Sequence, residues 1–219
     1  MALVVETAPV ASSRIVCLDC LAHVDASTAA DLGAAGFAAI GRYVNLHEGA
    51  GGFAIDSVEL DGITRSLGCW AIQEARSGAW SVAAGAADGR AAARNALAAG
   101  FPDGCTLVCD FEGAIPHDVA VGYANNWFDA AAAEAAFRLA IYIGSGVPLD
   151  SQALFHALKF RAYWRSLSQV PNVAQRGYQL LQLFPDDQEA LGPGRGRFDL
   201  NAAQSDYMGD RWTWARVPS

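Results

Sequence analysis

The feature that most constrains this chain is a rhythm. Eight short apolar runs recur along it, with mostly helical stretches between them. The runs cover residues 14–20, 37–44, 69–74, 105–111, 139–143, 161–164, 177–184 and 197–201. Helices are expected over 26–36, 55–67, 88–99, 116–136 and 151–158. Ser27 or Thr28 offers a cap to the first, and Gly36, Gly68 and Gly100 stop the first three. Pro116 suits a first helical turn. Strands covered on both faces read as continuous apolar runs, and helical connections set neighbouring strands parallel. The chain is therefore expected to be α/β, a single compact (β/α)8 TIM-like barrel. Residues 185–196 read as a loop, so the connection between the seventh and eighth strands has a reduced helix.

At 219 residues and 53% hydrophobic, the chain can bury one sizeable core. No linker or shift of composition divides it. Residues 1–13 read as an N-terminal tail, and 14–219 as the barrel domain. An open doubly wound sheet is the competing architecture, but no G-x-G-x-x-G follows a strand. The Gly-rich run from Gly192 to Gly196 precedes a strand rather than opening a helix, so a phosphate cradle is not expected. The formal charge is −8 and no basic stripe occurs, which argues against nucleic acid as a partner. No run of apolar residues is long enough to span a membrane. Residues 1–13 lack a basic start and carry Glu6, so no signal peptide is evident.

Five cysteines, an odd number, argue against a paired disulfide framework. Cys17 and Cys20 form a C-x-x-C inside an apolar strand with no second pair, so buried thiols are expected. His23, His47, His117 and His156 form neither H-x-H nor H-E-x-x-H. Neither a metal nor another cofactor is expected, and metal-dependent hydrolysis is the least favoured chemistry.

The chemistry concentrates at strand ends. The fourth run ends in Asp110-Phe111-Glu112, and side chains two apart on a strand share a face. Burial and mutual repulsion then favour a protonated acid beside an ionised one, the pairing that glycosidic cleavage uses. Asp19 ends the first strand, Glu74 the third, and Asp199 lies in the eighth, beside the first once a barrel closes. Active sites of such barrels form at the C-terminal ends of the strands. Tyr43, Trp164 and Gln182 frame the same rim, and aromatics with a few polar groups suit a carbohydrate. Each has a plainer reading: Glu74 as a surface pair with Arg76, Asp199 as a structural pair with Arg42, Trp164 as core, Asp19 as a cap.

Six segments in order carry a resemblance: Cys17-Leu18-Asp19, Gly41 to Val44, Leu107 to Glu112, Ala140 to Gly144, Gln179 to Gln182, and Phe198 to Asn201. Together they resemble the glycoside-hydrolase-like barrel family, which is similar to Chalaropsis-type lysozymes. The resemblance spans about residues 14–204. It implies an acidic pocket and a peptidoglycan-related glycan as partner, with muramidase activity. It also implies Glu112 as general acid, Asp110 as its partner carboxylate, and Asp19 and Asp199 as acids from the first and last strands. Tyr43, Glu74, Trp164 and Gln182 are expected to bind substrate. The chain departs from the family pattern at Cys17 and Cys20, where Gly-rich or aromatic neighbours are more usual. The alternative from another class is a barrel that binds cell-wall glycan without cutting it. Two delivery routes fit action at the cell wall or periplasm: a phage lysin, or a secreted effector with an immunity protein as partner.

Overall fold

The computed structural model describes residues 2–10, 15–49, 51–183 and 198–218. In chain order the elements begin with β1 (Val4–Thr7), β2 (Ile15–Cys20), α1 (Ala26–Ala34), β3 (Ala39–Val44), α2 (Ser57–Thr64) and β4 (Gly68–Gln73). They continue with α3 (Val82–Ala99), β5 (Thr106–Phe111), α4 (His117–Glu134), β6 (Arg138–Ile143), α5 (Ser151–His156) and β7 (Ala162–Arg165). The last strands are β8 (Leu180–Gln182), β9 (Asp199–Ala203) and β10 (Thr213–Arg216).

Strands β2 to β9 pair in sequence order; β9 also pairs with β2, so the eight close into a barrel. The expected α/β barrel is thus the observed architecture. One strand differs from a uniformly parallel reading. β2 to β8 run parallel, but β9 is antiparallel to both β8 and β2. A parallel return needs a crossover along the barrel wall, whereas an antiparallel strand starts at the end where its predecessor finished. The loop expected at 185–196, its reduced helix and the Gly192–Gly196 run lie outside the described residues, as do Arg14 and Arg197.

The expected tail needs correction. Val4–Thr7 forms β1, paired along its whole length with β10, and Ala215 of β10 pairs with Cys69 at the start of β4. A four-residue strand with exposed Val4 and Val5 has no periodic signature; its partner lies some two hundred residues away. This annex seals the end of the barrel where β2 to β8 begin. The Thr106 and Thr213 hydroxyls bond at 2.8 Å. Above them Trp212 meets Trp70 edge-on at 6.0 Å, and Trp70 meets Trp164 edge-on at 6.3 Å. Three buried indoles thus fill the barrel up to the site floor.

Helices on the outside are pinned by local chemistry. Asp25, Asp56, Ser81 and Asp150 cap α1, α2, α3 and α5 through side-chain oxygens. The cap of α1 is Asp25, ahead of the expected Ser27 or Thr28. With Ser81 as cap, α3 starts at Val82, before the expected 88. Its Gly85 and Gly89 face the backbone carbonyls of Tyr123 and Trp127 so closely that no Cβ fits at either position. All five cysteines are buried, as expected. Burial pushes the Cys17 and Cys105 thiols up to about 12, so they are protonated and inert.

Candidate active site at the barrel mouth

Alternation along the strands decides what faces the interior. Register places Asp19 opposite Gly41 and Asp199, Asp110 opposite Tyr142, and Gln182 opposite Asn201. Asp19 is the penultimate residue of β2, Asp110 lies near the end of β5, and Glu112 just follows it. These are C-terminal strand ends, so all three lie at one rim, the mouth. Asp199 opens β9. In a parallel strand it would lie at the opposite end; the reversal of β9 sets it beside Asp19.

The mouth is a crowded acidic cluster. Asp19 is 3% exposed and Asp110 7%, while Glu112 is half-buried. Burial, then the charge of Asp199, pushes the Asp19 carboxyl up to about 8, against a lowering hydrogen bond from Asn201. Burial raises Asp110 well above the carboxylate range, with Glu112, Asp19 and Glu74 adding repulsion. Asp110 Oδ1 is buried with no hydrogen-bond partner among the described residues. Desolvation alone raises Glu112. Asp19 and Asp110 are therefore held toward their protonated forms at neutral pH.

The walls explain how a carboxyl reaches the opening. A Cβ at Gly144 would fall on the Glu112 carboxyl, so only glycine there leaves Glu112 its place. Tyr142 Oη donates to Gln182 Oε1 at 2.9 Å, and its ring meets Trp164 edge-on at 4.7 Å. Tyr43 is half-buried, edge-on to Phe53. Burial raises its phenol, and Asp19 and Asp110 raise it further.

The other sequence readings sort by geometry. Arg76 forms a bidentate pair with Asp88 at 2.6 Å, and Tyr123 Oη donates to the same carboxylate at 2.7 Å. The expected surface pair of Glu74 with Arg76 is thus replaced, and Glu74 remains near Asp110. Arg42 lies on the outer face of β3 and pairs with Glu59 at 2.7 Å, so the pairing suggested with Asp199 gives way to a pair with α2. Asp19 caps no helix; that role falls to Asp25. Trp164 needs correction: at 1% exposed it forms the floor and presents no face to a sugar. Its Nε1 donates to Asn201 Oδ1 at 2.9 Å instead.

Two residues of the mouth were missed as site residues. Asn201 is fully buried and donates to Asp19 Oδ2 at 2.6 Å. Its signal was present, because it stands two residues after Asp199 and so shares its face. Tyr142 lies beside Asp110 by register alone, which no local pattern reveals. Among the described residues, no group of three or more His, Cys, Asp or Glu is placed to hold a metal ion.

A closed barrel with its acids gathered at one mouth defines a glycoside-hydrolase-like barrel. The chain belongs to the family described as the Rv2525c-like, glycoside hydrolase-like domain, whose model matches residues 30–190. Among solved structures it resembles the Tat-secreted protein Rv2525c of Mycobacterium tuberculosis, at 18% identity and a TM-score of 0.65, over 91% of this chain and 100% of that one. It also resembles a bacterial lysozyme from Streptomyces coelicolor, at 14% identity and TM-score 0.56, over 89% and 94% of the two chains. A family 25 glycosyl hydrolase from Bacillus anthracis matches at 11% identity and TM-score 0.55, over 91% and 93%. At these identities the likeness shows the fold. None of the curated proteins matches the sequence.

Proposed function

We propose that the mouth hydrolyses a glycosidic bond of bacterial peptidoglycan, as a muramidase does, with Glu112 as general acid. The observation that carries this reading is the contrast within one cluster. Glu112 is half-open and raised by desolvation, so burial biases it toward the protonated form at a place a bound glycan can reach. It donates that proton to the leaving oxygen. Asp110, on the same face of β5, faces the developing positive charge or assists a neighbouring acetamido group. Asp19 and Asp199, side by side, position water or substrate. Tyr43, Glu74 and Gln182 line the rim where the sugar lies.

Lysozyme and glycosyl hydrolase neighbours of the same fold support a glycan ligand, and a Tat-secreted neighbour supports action at the cell wall. No helix among the described residues is long and apolar enough to cross a membrane. A second reading, glycan binding without cleavage, draws on one observation: burial holds Asp110 toward its neutral form, which weakens it as an anionic partner.

Digestion of purified peptidoglycan by wild type and Glu112→Gln, with products read by mass spectrometry, tests the proposal. Wild type should release muropeptides with new reducing ends. The variant should lose about 10²–10⁴-fold in rate while its melting profile is retained. Equal cleavage by both proteins removes Glu112 from the mechanism. No cleavage by either, with retained glycan binding, favours the second reading.

A further inference from the structure

Asn201 is placed where a hydrogen-bond chain can only run one way. It is fully buried on β9, between Trp164 at 1% and Asp19 at 3% exposed. Its Oδ1 accepts from the Trp164 indole at 2.9 Å. Its Nδ2 donates to Asp19 Oδ2 at 2.6 Å and also lies 3.3 Å from the Asp199 carbonyl oxygen. An indole nitrogen can only donate. Turning the amide over would set the NH2 against the indole N–H and the carbonyl against Asp19, leaving donors facing each other in a buried site.

We propose that Trp164 and Asn201 are positioning residues for Asp19: the indole locks the amide so that its NH2 always meets Asp19 Oδ2, which directs any proton on Asp19 to Oδ1. Asp19 then becomes a hydrogen-bond donor of fixed direction at the mouth. Such a donor suits a carbonyl acceptor on the substrate, such as an acetamido oxygen. That last step rests on the glycosidase reading; the locking of the amide does not.

Asp19 does not sit alone. Asp199 on β9 raises it directly, and it is coupled to Tyr43 on β3, Asp110 on β5 and Tyr142 on β6. Glu112 and Glu74 act on Asp110 beyond it. Arg42, on the outer face, is held by Glu59. Against this background the Asn201 donor is the lowering influence on Asp19. Without the indole, the amide is free to turn its carbonyl toward Asp19 and favour the protonated form.

The test is a carboxyl-carbon NMR titration of ¹³C-aspartate-labelled protein, with Asp19 assigned by Asp19→Asn. Trp164→Phe keeps a ring in the floor but removes the donor. It should raise the Asp19 midpoint by about one pH unit. A folded Trp164→Phe protein with an unchanged midpoint overturns the proposal. Wild type supplies a reading that needs no floor variant: the Asn201 side-chain amide resonances should shift with the same midpoint as Asp19. Their failure to follow it would equally overturn the proposal. If the midpoint moves as expected but peptidoglycan is never cleaved, the lock stands and only the glycosidase reading falls.

Discussion

At the scale of single residues, the site is a problem of placing acids where water is scarce. Asp19 and Asp110 are nearly covered while Glu112 is half-open, so three carboxyls of one chemistry meet two environments. Gly144 is the quiet requirement behind the third. A methyl group at 144 would collide with the Glu112 carboxyl and with the Tyr142 ring, whose Cε1 would lie 3.0 Å away. Gly144→Ala should cut peptidoglycan hydrolysis at least about tenfold, since an ångström of displacement at a reacting group is costly. Its folding free energy should fall by about 1–3 kcal/mol, as for a moderate overpacking, read by urea denaturation. Loss of stability with full activity would mean that Glu112 does not need this position.

At the scale of elements, β9 and the pair α3 and α4 make the clearest cases. β9 runs against its neighbours, and that single choice of direction carries Asp199 to the mouth and sets Asn201 in line with Gln182. On the outside, α3 and α4 approach closely enough that a Cβ at Gly89 would lie 2.8 Å from the Trp127 carbonyl carbon and closer still to its oxygen. Backbone cannot give as a side chain can. Gly89→Ala gains helix propensity worth about 1 kcal/mol, yet the clash should dominate and leave a net loss of about 2 kcal/mol or more. Equilibrium urea unfolding would show this, and a stabilised variant would contradict the packing. Trp127 Nε1 donates to Gln73 Oε1 at 2.6 Å, so a shift of α4 would also loosen the end of β4.

At the scale of the whole molecule, buried acids link stability to pH. The Asp19 carboxyl titrates near 4 when unfolded and at about 8 when folded. The folded state therefore binds more protons between those values, and stability falls as pH rises through that window. Below about 4 its contribution is fully present; above about 8 it is lost. Asp110 is displaced in the same direction and adds to the slope. A formal charge of −8 adds self-repulsion of the same sign toward alkaline pH. Melting temperature should be higher at pH 5.5 than at pH 8, and Asp19→Asn should flatten that dependence. A wild-type melting temperature independent of pH would mean that neither carboxyl is held toward neutrality. Hydrolysis should decline as pH rises and Glu112, raised by desolvation, loses its proton.

The sequence by itself determined whatever depends on near neighbours. Alternating apolar runs and helical stretches carry the barrel, because strand and helix periods are written in a few consecutive residues. Spacing by two carries the shared face of Asp110 and Glu112, and the same spacing already held Asn201 with Asp199. Apolar surroundings foretold buried thiols. Only the tertiary structure decided matters set by residues far apart in the chain. It set the direction of β9, the pairing of β1 with β10, and the choice of Glu59 and Asp88 as partners for Arg42 and Arg76. It also turned Trp164 from an expected sugar platform into the floor beneath Asn201. A side chain's period depends on its own backbone, but its burial and its partner depend on which distant surface closes over it, and closure of the barrel decides that.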